Sequence, residues 1–250
     1  MINGAFGPSF AFGRRTGGIP VTPTSIQIWF DASDPTQFQP NANNGTTISQ
    51  WNDKSSIAHN ANPSGGNSGK PTIVTNSLNG YSTLSFNGTA NNLQVTNMGF
   101  LANISVFTML VVAKITNKTG TRVLSCSDQD GLKIFYDGTN WAVRTSGGTG
   151  TSTNTGDTTN YHIFTLAYNG NNVGDSNRLR LRIDGNTQAL AYSGTVGSVT
   201  NINTSKMNFA WDGTSSYLAG NIAEIHLYTT TLTDIAIATD ETYLKNKSMF

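Results

Sequence analysis

The sequence is poor in cysteine and in charge, and each shortage excludes a class of protein. Cys126 is the single cysteine, so the chain has no internal disulfide, and its stability must come from burial or assembly. Charged residues make up 12% of the sequence, against a usual share of about 25%. The formal net charge of +1 argues against a general nucleic-acid surface.

Long apolar runs are also missing. No stretch approaches the roughly 20 apolar residues that a membrane-spanning helix requires. Near the start, Arg14 and Arg15 follow the apolar residues instead of preceding them, which is the reverse of a secretory signal peptide. We therefore expect no membrane partner and no signal peptide.

Catalytic residue sets are scarce too. Retaining glycosidases hold two carboxyl groups about 5–5.5 Å apart, which residues i and i+2 of one strand can supply. The glutamates are Glu224 and Glu241, and neither has an acidic neighbour at that spacing on a strand. The histidines share no spacing, and no Gly-x-Ser-x-Gly motif occurs. The sequence predicts that the chain is not an enzyme and has no required cofactor.

Turn-forming and strand-forming residues are abundant instead. The 26 glycines, together with many Asn, Ser and Thr, are typical of short strands joined by polar turns. Hydrophobic residues, at 36%, suffice for a core, which argues against disorder. Residues 25–31 alternate between apolar and polar, and the apolar run 105–115 indicates a central strand buried on both faces.

The last strand and a following helix organise the C-terminal part. Apolar residues alternate with the others along residues 223–228, so one face is expected to look inward and the other outward. Thr233 or Asp234 can cap a helix over residues 235–247. The sequence predicts an all-β, two-sheet antiparallel jelly-roll sandwich with one short C-terminal helix that covers an edge or end.

Residues 1–24 do not follow the strand pattern. Glycines and prolines interrupt them, yet they carry large apolar groups that so short a segment cannot bury alone. Two interpretations stay open: a loose terminus, or an arm that docks on a neighbouring subunit. The docking residues of such an arm are Phe6, Phe10, Phe12, Arg14 and Arg15. We expect this arm over residues 1–24 and one sandwich domain over residues 25–250.

An ordered set of segments resembles a known family. The chain contains, in this order, IWFDASDP, ISQWNDKS, LSFNGTANNL, FTMLVVAK, LRLRIDG, GNIAEIHLYTTTLTD and, after a helix, YLKNK. Together they resemble the laminin-G-like branch of the concanavalin A-like lectin/glucanase superfamily, over about residues 25–247. The resemblance implies a jelly roll that binds glycans or proteins, sometimes through calcium, in adhesins, secreted enzymes or phage structural proteins.

Two tryptophans and two aspartates are the candidate ligand-binding residues. Trp141 and Trp211 stand next to turns, where an aromatic face can pack on a sugar, although tryptophan is more often buried. Asp128 and Asp130 either supply oxygen ligands to calcium or belong to an ordinary turn. The outward stripe of arginines along residues 178–182 is either a solvated face with partners or a basic patch.

The hypothesis drawn from these features is a non-enzymatic structural protein of a phage virion. As a capsid decoration or tail-associated subunit, it would dock through its arm on other virion proteins or on copies of itself, form a homo-oligomer, and display a lectin-like sandwich. The alternative is an extracellular or cell-surface carbohydrate-binding module or adhesin that recognises surface glycans. A glycoside hydrolase is disfavoured by the scarcity of paired carboxylates.

Overall fold

A computed structural model describes residues 26–40, 43–127, 131–145, 147–200 and 206–248. In chain order, the strands and helices of these residues are β1 (Ile26–Asp31), β2 (Phe38–Gln39), β3 (Gln50–Trp51), β4 (Thr72–Leu78), β5 (Tyr81–Asn87), β6 (Leu93–Thr96), β7 (Val106–Ile115), β8 (Arg122–Ser127), β9 (Leu132–Tyr136), β10 (Trp141–Thr145), β11 (Gly148–Ser152), β12 (His162–Asn169), α1 (Asp175–Arg178), β13 (Leu179–Ile183), β14 (Asn186–Thr187), β15 (Leu190–Gly194), β16 (Lys206–Phe209), β17 (Ala219–Tyr228) and α2 (Asp234–Ser248).

Two antiparallel sheets pack on each other. The larger has the order β14-β13-β12-β7-β17-β5-β4, with β1 also paired to β17, and the smaller has the order β15-β11-β10-β9-β8-β16-β6. Apolar side chains of both sheets fill the core between them, among them Phe107 and Ile225 of the larger sheet and Ile134 and Phe209 of the smaller one. The predicted two-sheet antiparallel sandwich with a C-terminal helix is confirmed.

The two longest strands lie at the centre of the larger sheet. β7, predicted from the apolar run at residues 105–115, lies between β12 and β17 and is buried on both faces. β17 is the last strand of the chain, but it contacts β7 on one side and both β5 and β1 on the other. Its register against β7 shifts between Ile222 and Glu224, a β-bulge that changes which residues face the core.

Helix α2 forms a third layer on the outer face of the larger sheet. The Thr233 hydroxyl oxygen accepts a hydrogen bond from the Ala236 backbone N–H at 3.2 Å, so Thr233 is the N-cap. Leu244 belongs to the same apolar cluster as Leu110, Val112 and Tyr228 of the sheet. The prediction that the helix covers an edge or end is therefore wrong, because it lies on a sheet face.

The face of β17 that was expected to look outward is buried by this helix. Glu224, His226 and Tyr228 are at most 2% exposed. The arginine stripe of β13 is also engaged by the helix, since Arg180 contacts Asp234 and Arg182 contacts Glu241, both at 2.8 Å. These ion pairs favour the structural interpretation of the stripe over a free basic patch.

Several predicted features lie outside the described ranges. They are the arm over residues 1–24 with Phe6, Phe10, Phe12, Arg14 and Arg15, and the aspartates Asp128 and Asp130. The arm, its boundary with the sandwich and the calcium site stay predictions. Within the ranges that are described, no helix has the length and apolarity needed to cross a membrane.

Candidate functional site

One end of the sandwich brings together loops from both sheets, and we call it the loop end. It holds the loops at residues 116–121, 137–140, 153–161 and 210–218, between strands that begin or end there. The strand registers place these ends side by side. Tyr136 pairs with both Arg122 and Trp141, and Ile115 pairs with Gly220. Both predicted sugar-binding tryptophans therefore lie at the same end of the fold.

A pocket of about 210 Å³ opens at the loop end. Its lining residues are Trp141, Asn154, Thr155, Gly156, Asp157, His162 and Ile183. This volume is below the roughly 300–1,000 Å³ of sites for drug-sized ligands, so the pocket fits a small ring or one end of a longer chain.

Trp141 forms the floor of the pocket. Its side chain is 1% exposed, and its ring centroid lies 5.6 Å from that of Tyr136 and 4.1 Å from that of Phe164. The structure therefore corrects the predicted role of this residue in sugar stacking, because the faces of its indole are covered by the core. Trp141 instead supports the residues that line the pocket above it.

The loop at residues 153–161 lies directly on this floor. The Trp141 backbone N–H donates to the Asn154 carbonyl oxygen at 2.9 Å, and the Ser152 hydroxyl donates to the Trp141 carbonyl oxygen at 2.8 Å. Asn154 Oδ1 accepts from the Gly156 N–H at 2.7 Å, which turns the chain across the indole. Gly156 has φ +58, and a Cβ on it would stand 2.6 Å from Trp141 Nε1. Only glycine combines this backbone conformation with so close an approach.

The wall of the pocket is a histidine held between two carboxylates. His162 Nδ1 lies 2.6 Å from Asp184 Oδ2, and His162 Nε2 lies 3.0 Å from Asp157 Oδ2. Because carboxylates only accept hydrogen bonds, both contacts are strongest when each ring nitrogen carries a proton. Asp184 also accepts from the Ile163 N–H at 2.8 Å, so the wall is fixed to β12.

The protonation states of the wall follow from these contacts. The hydrogen bond to Asp184 raises the pKa of His162 against the opposing effect of burial, and Asp157 adds to the rise. Burial by itself raises the pKa of Asp157, but the N–H groups of Asn160 and Thr159 outweigh it and hold that pKa well below its usual range. The contacts therefore favour the protonated form of His162 and the ionised form of Asp157.

These groups remain accessible to a ligand. The side chain of His162 is 23% exposed and that of Asp157 is 39% exposed. Around them lie the Asn154 amide and the exposed Thr155 hydroxyl. Carboxylates, an amide and a hydroxyl above an aromatic floor can accept from and donate to a polyhydroxylated ligand. Among the described residues, no group of three or more His, Cys, Asp or Glu side chains could hold a metal ion.

Trp211 lies on another loop of the same end. It is half-buried, and its ring is nearly parallel to that of Tyr217, with centroids 5.8 Å apart and an interplanar angle of 14°. Unlike Trp141, this residue is partly exposed, although its indole nitrogen is buried. Its predicted contact with a sugar stays a prediction, and the geometry is compatible with it.

Sequence analysis missed the Asp157–His162–Asp184 wall. The three residues become neighbours because β12 pairs with β13, which brings Ile183 opposite Phe164. Two signals were present: a DTTN turn just before β12, and an Asp-Gly turn just after β13. Neither signal shows that the two turns lie next to each other, because that depends on the pairing of β12 with β13.

Gly156→Ala is expected to push the 153–161 loop away from the pocket floor. The new Cβ would collide with Trp141 Nε1, and the alanine would be held in a left-handed backbone conformation. We therefore expect a loss of about 1–3 kcal/mol in the free energy of unfolding. Urea unfolding, followed by tryptophan fluorescence, measures it. Gly45→Ala is the matched control, because Gly45 has φ +81 but no atom within 4 Å of its Cβ position. Equal losses in the two variants would contradict the close approach.

Comparison with known proteins identifies the fold. No protein-family model matches the chain, and no curated protein sequence does either. Trypanosoma rangeli sialidase in complex with sialic acid superposes with a TM-score of 0.60 at 15% identity, covering 92% of this chain and 34% of that one. The binding domain of botulinum neurotoxin DC in complex with rat synaptotagmin II gives 0.57 at 13% identity, covering 90% and 52%.

A third structure is that of botulinum neurotoxin type C, a toxin whose cell entry depends on interaction with two ganglioside molecules. It gives a TM-score of 0.55 at 11% identity, covering 91% of this chain and 52% of that one. The chain thus spans about a third of the sialidases and about half of the toxin structures. At these identities the likeness shows a shared β-sandwich fold, as the resemblance implied. The laminin-G-like branch stays a prediction.

The comparisons overturn the prediction that the chain is not an enzyme. That prediction rested on a missing pair of carboxylates, yet chains of sialidases, which are enzymes, contain the same fold. The number of paired carboxylates in a sandwich domain therefore does not decide whether that domain belongs to an enzyme. Because the likeness extends over about a third of each sialidase, it assigns no reaction to this chain.

Proposed function

We propose that this protein is a carbohydrate-binding sandwich that holds a glycan at the loop end, in the pocket above Trp141. The observation that carries the proposal is the wall of His162 held between Asp157 and Asp184, beside the open Asn154 and Thr155 side chains. The structural neighbours support it at the level of the fold. One of them is a sialidase in complex with sialic acid, and another is a toxin that interacts with gangliosides.

Sugars suit this pocket for two physical reasons. Each sugar hydroxyl both donates and accepts, and the pocket offers carboxylate acceptors together with amide and hydroxyl donors. Hydrogen bonds to charged groups contribute about 1.5–3 kcal/mol, more than neutral ones. The wall is also fixed by its own hydrogen bonds before a ligand arrives, which reduces the entropy lost on binding.

Asp157→Ala is expected to weaken glycan binding by about tenfold or more, since it removes a charged acceptor and frees His162 Nε2. A glycan microarray identifies the bound glycans, and titration calorimetry on the strongest one measures the loss. Thr155→Val is a second test, because it changes an exposed lining hydroxyl without touching the wall.

Asp137→Ala is the matched control for this experiment. Asp137 accepts from the Thr139 and Asn140 N–H groups at 2.8 Å, just as Asp157 accepts from Thr159 and Asn160 at 2.8 Å, but it lies outside the pocket. Unchanged affinity in Asp157→Ala, or equal losses in both variants, would contradict the proposed site. A wild-type protein that binds no glycan would contradict the proposed function itself.

The virion role stays a prediction beside this proposal. It rests on the predicted arm of residues 1–24, and a virion protein that displays a glycan-binding sandwich would combine both hypotheses. Assembly with other virion proteins or as a homo-oligomer, and a location on a virion or outside the cell, stay predictions as well.

A further inference from the structure

We infer that the glycan site continues from the pocket to the hairpin that carries Trp211 and Tyr217, so that its ligand is an oligosaccharide and not a single sugar. This inference rests on the proposed function and specifies its ligand class. Its basis is the placement of two partly exposed aromatic residues, Trp211 and Tyr217, at the loop end, where hydrogen bonds through a neighbouring loop connect them to the pocket.

The hairpin presents a fixed aromatic surface. Trp211 and Tyr217 pair across it as an isolated β-bridge, and their rings are within 14° of parallel. Asp212 Oδ1 accepts from the N–H groups of Thr214 and Ser215 at 2.9 Å, which closes the turn between them. Rings held in place in this way can pack against the apolar face of a sugar at little entropic cost.

The loop at residues 116–121 bridges this hairpin to the pocket. Arg122 Nη1 donates to the Tyr217 carbonyl oxygen at 3.2 Å, and its Nε donates to the Asn117 carbonyl oxygen at 3.1 Å. On the other side of the loop, Lys118 Nζ donates to the carbonyl oxygen of Gly156, a pocket residue, at 3.1 Å. The loop therefore contacts the pocket through Lys118, and Arg122 at the start of β8 contacts both the loop and the hairpin.

The sheet geometry sets the length of such a ligand. In the smaller sheet, β9 and β8 lie between β10, which begins at Trp141, and β16, which ends just before Trp211. At the usual spacing between neighbouring strands, these positions are about 14 Å apart. One sugar ring is too short to reach from the pocket above Trp141 to Trp211, so a ligand that fills the surface has several units.

The base of the hairpin also contains hydrogen-bond donors without acceptors. In the part of the chain that the structure describes, Trp211 Nε1 and Asn208 Nδ2 are buried and have no partner. The Asn208 amide lies next to the hairpin, with Nδ2 3.4 Å from the Cβ position of Gly213. Unpaired buried donors are costly, so a ligand hydroxyl that accepted a hydrogen bond from either donor would be stabilised.

The test compares glycans of one to six sugar units on one microarray, with the wild-type protein and two variants. We expect the wild type to prefer glycans of three or more units over their own mono- and disaccharide fragments. Trp211→Ala should lower binding of the longer glycans by about fivefold to tenfold and leave the short fragments unchanged. Trp211→Phe, which keeps an aromatic ring, should retain most of the binding.

Tyr81→Ala is the matched control, because Tyr81 is a 37% exposed aromatic residue at the start of β5, whose other end, Asn87, reaches the loop end. Length-independent binding, or binding of long glycans that Trp211→Ala does not reduce, would overturn this inference and leave the pocket intact. If Asp157→Ala lost binding and Trp211→Ala did not, the inference would likewise be overturned and the pocket would stand. No binding by the wild type would instead remove the proposed function.

Discussion

Replacing Asp240 by alanine is expected to lower the free energy of unfolding by about 3–5 kcal/mol, because it removes one of the two partners of a fully buried charge. Both oxygens of Asp240 lie 3.0 Å from His226 Nδ1, and neither residue has any exposed surface. On its other side, His226 Nε2 lies 3.1 Å from Glu224 Oε1. The imidazolium is thus held between two carboxylates beneath α2.

This buried network joins the first strand to the last helix. Lys247 Nζ of α2 lies 2.6 Å from Glu224 Oε2 and 2.8 Å from Asp31 Oδ1 of β1. Lys54 Nζ contacts the other oxygen of Asp31 at 2.9 Å. Burial alone would raise the pKa of Asp31, but the two lysines outweigh it and hold that pKa well below its usual range. Loss of one member therefore weakens the docking of α2 on the whole sheet.

Urea unfolding at pH 7 measures the effect, and two further variants make it specific. Asp240→Asn keeps the size of the side chain and should still be strongly destabilising, since only the charge is removed. Asp234→Ala breaks a pair of the same helix, but Asp234 is 64% exposed in its contact with Arg180, so the loss should stay below about 1 kcal/mol. Similar losses at positions 234 and 240 would contradict a buried ionic network.

Stability is expected to decrease as the pH rises from neutral towards about 9. Burial lowers the pKa of His226, but the carboxylates of Asp240 and Glu224 outweigh it and raise the pKa to about 9. The unfolded value is about 6.5. A pKa that is higher in the folded state means that the bound proton stabilises the fold fully below the unfolded value, and that this contribution disappears as the pH passes the folded value. The difference corresponds to about 3 kcal/mol.

Urea unfolding at pH 6, 7.5 and 9 measures this dependence. His226→Gln should be less stable at pH 6 and much less sensitive to pH, while His162→Ala removes the second histidine with a raised pKa and separates its contribution. In the wild type, NMR signals of the His226 ring should report an imidazolium at pH 8. A neutral ring at that pH, or an unchanged pH dependence in His226→Gln, would refute this assignment.

The sequence predicts the strands well because their signal is local. The alternation along β17 and the apolar run of β7 both follow from the period of two, and the Thr233 cap follows from its place before the helix. It predicts that β7 is central, but not that β17 is central as well. β17 was therefore expected to have an outward face, whereas α2 covers that face and turns Glu224 and His226 into buried charges.

The candidate site was predicted less completely, since its residues meet only through tertiary contacts. Trp141 was chosen because it adjoins a turn, and it does lie at the pocket, but as the covered floor. Asp157, His162 and Asp184 carry the polar chemistry, and no spacing in the sequence places the last of them beside the first two. Their meeting requires the β12–β13 pairing, which local pattern does not specify.

The most direct test of the glycan site is NMR mapping of backbone and indole N–H signals during titration with the strongest glycan from the microarray. Binding at the loop end predicts the largest shifts at residues 154–157, at His162 and at the indole N–H of Trp141. Shifts confined to the opposite end of the sandwich, such as residues 170–174 and helix α1, would contradict the account.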